Sequence, residues 1–261
     1  MSNITQRGAT GPLALQVGGS FPTSTDAALV NLVGTRFDTS DGREVILVSV
    51  GSASAATSGH LMQDAALIAA HQNATTGTFV AYSNNGNIPA KLTLTIGATA
   101  MTANQYQGGL AVVNAGTGKG QVLRIASNTA AVSSGTQGTV TLEDAPNTAL
   151  DTTSKISLVP AHGANVVDFP TTPTSSPVGA AIYNIAASSY GFLVCKGITG
   201  VLSDPTIAGV GYAISPSTAS AGNITVASTG GGTTPTLTNA IIGSALIAGV
   251  SGEARPVNLT L

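Results

Sequence analysis

The sequence predicts an all-β protein of two small barrel- or sandwich-like domains, with an extended N-terminal arm and little helix. Three observations predict it. Turn signals recur about every ten residues, and short β-branched runs lie between them. The clearest runs alternate apolar and polar residues in period two, the pattern of a half-buried strand. Helical patterning is confined to two Ala-rich stretches, DAALVNLVG from Asp26 and DAALIAAHQN from Asp64, each too short to be stable as an isolated helix.

Taken in order, residues 1–35 are expected to form the arm. Gly8, Gly11, Pro12, Gly18, Gly19 and Pro22 punctuate it, and it lacks the sustained alternation that builds a sheet. Such a segment buries too little apolar surface to offset an ordering cost of roughly 1–2 kcal/mol per residue. It still carries Leu13, Leu15, Val17 and Phe21. These four are the candidate contacts with other subunits or with a larger shell, made by adding a strand to a neighbouring sheet edge.

Residues 36–168 are expected to form the first β domain. REVILVSVG (Arg43–Gly51) is apolar on both faces in its middle, as a covered central strand would be. KLTLTIG turns Leu92, Leu94 and Ile96 inward, and GTVTLED turns Val140 and Leu142 inward. KISLVP is a further strand. The stretch FPTTPTSSPVG carries Pro170, Pro173 and Pro177 and predicts a linker over residues 169–181, because proline leaves a ladder without donors. Residues 182–261 then form a C-terminal β domain from GFLVCKG, GNITVAS and PVNLTL. Turns are expected at Asp41-Gly42, Asn85-Gly86, Gly108-Gly109 and Gly230 to Gly232.

Composition narrows the function. Charged residues make up 8% of the chain, against roughly 25% in ordinary soluble domains. A net charge of −2 offers no basic surface to neutralise phosphates, so no nucleic-acid partner is expected. The longest nearly apolar run, AIIGSALIAGV, is far short of the roughly 20 residues of a membrane-spanning helix. The start, MSNITQRGATG, lacks the pattern of a signal peptide. A chain so poor in charge, with mean hydropathy +0.32, points to a surface covered by copies of itself or by a large partner.

The motifs that resemble chemistry fail on spacing. AGTGKGQVLRI (Ala115–Ile125) looks like a phosphate-binding loop, but Val113 stands where a P-loop needs its first glycine and Gly120 where it needs a hydroxyl. Strand-like segments flank it, so it is expected to be a hairpin tip. DTSDGRE (Asp38–Glu44) resembles a calcium loop but has Gly42 at a ligand position and no glutamate at the twelfth. It too reads as a turn. Glu143 and Asp144 would point to opposite faces of a strand. His60, His71 and His162 show no ligand or triad spacing. Cys195 is the lone cysteine and sits in a strand core. No catalytic, cofactor or metal residues are expected, and no enzyme activity.

Four phrases occur in this order: FDTSDGREVILVSVGSASAATSGHLMQ, LTLTIGATAMTANQYQGGLAVVNAGTGKGQVLRI, VTLEDAPNTALDTTSKISLVP and YGFLVCKGITGVLSD. Together, over roughly residues 36–204, they resemble the structural proteins of tailed-bacteriophage virions that decorate or cement the head. The resemblance implies a β-rich accessory protein made in the host bacterial cytoplasm and carried on the capsid exterior. Its partners would be the major capsid protein and copies of itself, in a homotrimer, with no cofactor and no membrane. The alternative is a receptor-binding fibre or tail-knob module recognising host surface glycans, which would present exposed aromatics for stacking. Aromatic residues are 4% of the chain and fall mostly in strand-like segments.

Overall fold

The alternating segments are strands in the computed structural model, which describes residues 2–6, 15–17, 23–53, 55–81, 89–132, 135, 137–204, 207, 209–227 and 240–261. In chain order the first strands are β1 (Ser2–Gln6), β2 (Leu15–Val17), β3 (Arg36–Thr39), β4 (Glu44–Ser49), β5 (Leu61–Gln63) and β6 (Ala74–Val80). Next come β7 (Lys91–Thr95), β8 (Leu110–Ala115), β9 (Val122–Asn128), β10 (Gln137–Leu142), β11 (Lys155–Val159) and β12 (Val167–Asp168). The last are β13 (Pro177–Ala181), β14 (Tyr190–Leu202), β15 (Ala213–Pro216), β16 (Ile224–Val226), β17 (Gly243–Ala245) and β18 (Ala254–Thr260). The protein is all-β, as its sequence pattern predicts.

The chain divides into two compact units, but not in sequence order. One unit is Met1–Ala65 with His162–Leu261, and the other, Ala66–Ala161, is inserted into it. This differs from the expected division at residues 169–181. Pro177–Ala181 is strand β13, paired with β5 (Ala180↔Leu61) and with β14 (Ala180↔Val194). Pro177 is its first residue, a strand position where proline is tolerated. The proline-rich stretch therefore leads into a paired strand of the first unit.

The inserted unit is a closed barrel in the order β10-β7-β6-β11-β8-β9, every neighbour antiparallel. Its core is set by the alternation read in the sequence. Leu92, Leu94 and Ile96 face inward with Val140 and Leu142, and Ile156 and Leu158 join them from β11. Register shifts in β6, β10 and β11 mark irregularities of the bulge type, which bend strands and help a small sheet close.

The discontinuous unit is a sheet in the order β16-β15-β17-β18-β14-β4-β3-β1-β2, with β13, β5 and β12 branching from β14. The 13-residue β14 organises it, pairing β4 with its first half and β18 with its second. β4 is buried on both faces, as its unbroken apolar run predicts. Ile46 and Val48 enter one cluster with Leu193 and Cys195, while Val45 and Leu47 enter another with Phe37, Phe192 and Val194.

Residues 2–6 and 15–17 of the arm form an antiparallel pair that continues the sheet at β3 (Ile4↔Thr39, Thr5↔Asp38). The two Ala-rich stretches contain 3₁₀ turns, Ala27–Leu32 and Ala69–His71, in place of α-helix. At the second, the Asp64 carboxylate is engaged outside the stretch: Oδ1 accepts the Gly163 N–H at 2.7 Å and Oδ2 lies 2.8 Å from His162 Nδ1. Asp41-Gly42 turns the β3–β4 hairpin, with Gly42 at φ +83°. The turn expected at Gly108-Gly109 is present and leads into β8: Gly108 has φ +73°, the Gly109 N–H donates to the Tyr106 carbonyl at 2.9 Å, and a Cβ on Gly109 would strike the Val159 carbonyl. The turns expected at Asn85-Gly86 and Gly230 to Gly232 lie outside the described residues.

Candidate functional site

The glycine-rich loop is a hairpin tip. β8 and β9 pair antiparallel through Val112↔Val122 and Leu110↔Arg124. Gly116, Gly118 and Gly120 take positive φ, a region glycine enters without Cβ strain. The loop is fastened sideways: Thr117 Oγ1 donates to Asp151 Oδ2 at 2.6 Å, and Gln121 Nε2 donates to the Thr148 carbonyl at 3.1 Å. A helix N-terminus, which a phosphate site of this type requires, does not follow, because Val122–Asn128 is strand.

The three histidines do not converge; each has partners of its own. His60 Nδ1 lies 2.8 Å from Asp168 Oδ2, and His162 Nδ1 lies 2.8 Å from Asp64 Oδ2. These pairs flank the short β5–β12 ladder (Val167↔Gln63, Asp168↔Met62). His71 is buried, with Nε2 2.9 Å from the Thr99 carbonyl and Nδ1 2.6 Å from the Tyr106 hydroxyl. A carbonyl can only accept, so Nε2 carries a hydrogen and donates it to Thr99. Burial pushes the Tyr106 hydroxyl up to about 12, so it stays protonated. Among the described residues no group of three or more His, Cys, Asp and Glu side chains could hold a metal ion.

The other candidates are satisfied locally. Cys195 is fully buried, its thiol 3.3 Å from the Glu44 carbonyl, and burial pushes it up to about 11. A nucleophilic thiol needs the opposite setting. Glu143 pairs with Arg124 at 3.1 Å. A shallow cleft of about 390 Å³ is lined by Asp41, Gly42, Arg43, Gly197 and Ile198. Its two charges neutralise each other at 2.6 Å, and the Arg43 hydrogen bond draws the Asp41 carboxyl down to about 2.

What the described surface does offer is apolar area. In the barrel, Leu110 and Val122 are exposed and stand beside half-buried Val112 and Val159 on adjacent strands. In the other unit, Ile207 and Gly249 exchange backbone hydrogen bonds, Gly211 donates to the Ala245 carbonyl and Ala245 to the Tyr212 carbonyl, so residues 209–212 run beside residues 245–249. That ribbon exposes Val210, Tyr212 and Ile247, with Val250 just beyond. Neither group stood out in the sequence as a contact surface. The readable signal was LAVV at Leu110–Val113: a barrel strand has one inner face, so apolar residues on both parities leave one set outside.

Of the four arm residues, Leu15 and Val17 lie on β2, which pairs with β1, and Leu13 and Phe21 lie outside the described residues. No helix among the described residues is long and apolar enough to cross a membrane. No protein-family model, curated protein or solved structure matches the chain.

Proposed function

We propose that the chain is a structural component of a tailed-phage virion, a decoration protein that binds the outside of the capsid and stabilises it. One observation carries the reading: a chain with 8% charged residues exposes large apolar side chains on both of its units, and in the barrel they adjoin one another across β8, β9 and β11. Contiguous apolar surface marks interaction sites, whereas scattered single residues do not. The titratable groups add support, since the histidines and the buried thiol are held by local partners rather than converging on a cleft.

The mechanism is area multiplied by copy number. A standard contact covers of order 800 Å² per partner. Repeated around a shell, such contacts stabilise the assembled state by mass action, because the protein binds the shell and not its separated subunits. The partners are the major capsid protein and copies of this chain. A glycan-binding knob would present several stacking aromatics; among the described residues Tyr212 alone is both aromatic and exposed.

The test uses particles of the phage whose genome encodes this chain, made with and without its gene. Particles lacking the protein are expected to release DNA at a lower temperature, and adding back the purified protein should restore the wild-type release temperature. Equal release temperatures with and without the protein would refute the stabilising role.

A further inference from the structure

We infer that the edge of β14 at Ile198–Gly200 is a docking gap for a short extended segment of the shell protein, taken up as an added strand. The inference rests on the proposed capsid binding and assigns it a place on the chain.

Register decides which way each backbone group of β14 points. Lys196 pairs with Thr260 of β18 and with Glu44 of β4, so those strands flank β14 on opposite edges. The β18 ladder runs unbroken from Lys196↔Thr260 to Leu202↔Ala254. Just beyond its ends, the Leu261 N–H donates to the Cys195 carbonyl at 2.9 Å and the Ser203 N–H to the Glu253 carbonyl at 3.1 Å. Bonded and unbonded pairs alternate along an antiparallel ladder, so Gly197, Thr199 and Val201 also bond to β18. Ile198, Gly200 and Leu202 then turn their N–H and C=O groups to the other edge. Leu202 is served there, its N–H donating to the Gly59 carbonyl at 2.8 Å. The pairing with β4 has ended at Glu44, and the chain before it turns away into β3 at Asp41-Gly42. Ile198 and Gly200 are left with no backbone partner on this edge among the described residues.

The gap is open to solvent and walled at both ends. Ile198 is 59% exposed, Gly200 is exposed, and the shallow cleft beside Asp41, Gly42 and Arg43 opens over Gly197 and Ile198. A Cβ on Gly197 would lie 3.2 Å from Arg43 Cα, so Arg43 closes one end, and Gly59 closes the other. These limits choose the occupant. Free N–H and C=O groups on a strand edge are matched by another extended backbone. A second copy's β14 does not fit, because its own gap is recessed between the same two walls and the two edges cannot meet. A loop or tail of another protein, extended only over the span of Ile198–Gly200, does fit. Ile198 offers that segment an apolar cross-strand neighbour. Ile198, Thr199 and Gly200 carry none of the charges or prolines that guard an edge against added strands. Under the proposed function the segment belongs to the major capsid protein.

Hydrogen exchange of the full chain, free and bound to particles made without its gene, tests this. In the free chain the Ile198 and Gly200 amides should exchange as fast as solvent-exposed amides, while Thr199 and Val201 are protected. On particles both amides should become protected. Gly200→Pro removes a free donor and fills the gap without costing a bond to β18, since Gly200 stands opposite Pro256 in an unbonded pair. It should keep the wild-type melting temperature and bind particles about tenfold more weakly or worse. Gly200→Ala keeps the N–H, its Cβ meeting nothing closer than 3.9 Å, and should bind as the wild type does. Protected Ile198 and Gly200 amides in the free chain, or no gain of protection on particles, overturns the inference whether or not Gly200→Pro folds. Wild-type affinity in a folded Gly200→Pro variant also overturns it and leaves the decoration reading standing. If the wild type binds no particles, the decoration reading fails and the shell segment is refuted with it.

Discussion

Arg255 is buried to 1% exposure, in a protein that has few charges to bury. Its Nε donates to Ser203 Oγ and one terminal nitrogen to the Val250 carbonyl, while Nη1 has no hydrogen-bond partner. The guanidinium lies against Gly249, where a Cβ would overlap Nη1. Overpacking a filled core costs typically about 1–3 kcal/mol, so Gly249→Ala should destabilise by that amount in urea unfolding. In an Arg255→Met background the cost should shrink, because the two positions share one space and contacting residues are not additive. Cys195 makes a second residue-scale case. Burial raises its folded pKa from 9.0 to about 11, so its contribution to stability is full below pH 9 and lost as pH rises toward 11. At pH 8 the folded protein should therefore resist alkylation by iodoacetamide, and the urea-unfolded chain should react readily. Rapid labelling of the folded state would contradict the buried, protonated thiol.

Hairpins and ladders are the scale at which sequence and structure agree best, and the reason is periodicity. KLTLTIG, GTVTLED and the two-faced REVILVSVG state their own burial, because a strand's faces alternate residue by residue. The Gly116–Gly120 loop was legible for a similar reason, its flanks reading as strands. Its glycines are not equivalent. A Cβ on Gly116 would collide with the Thr153 carbonyl, while one on Gly120 meets nothing within 4 Å, and both have positive φ. Gly120→Ala should cost about 1 kcal/mol, the strain of an L residue in that region, and Gly116→Ala clearly more. Lys119→Ala should stay within about 0.5 kcal/mol of wild type, and magnesium nucleotide should not shift the melting temperature of either protein. What local pattern could not convey was pairing across long separations. His60 meets Asp168 and His162 meets Asp64, about a hundred residues apart, with |i−j| of 108 and 98. The stretch around Pro177 looked like a linker because its partners, β5 and β14, are remote or not yet formed when the segment is read locally.

At the scale of the molecule, the insertion of Ala66–Ala161 has a direct consequence. The segment has a closed barrel and a core cluster of its own, so residues 66–161 expressed separately should show a cooperative thermal transition. Asp64 and His162 touch at 2.8 Å, which brings the two ends of the insertion together. Replacing residues 66–161 by a short Gly/Ser linker should then leave the remaining unit folded, with β-type circular dichroism. Failure of both pieces to fold would mean that the division into two units is not energetic. The central claim, that this apolar, charge-poor chain works by covering a capsid, is tested most directly by imaging. Particles of the phage proposed to encode the chain would be imaged with the gene intact and with it deleted, and the two density maps subtracted. The account predicts difference density confined to the capsid exterior and repeated at equivalent positions over the shell. Difference density at the tail or fibres, or none on the capsid, would contradict it.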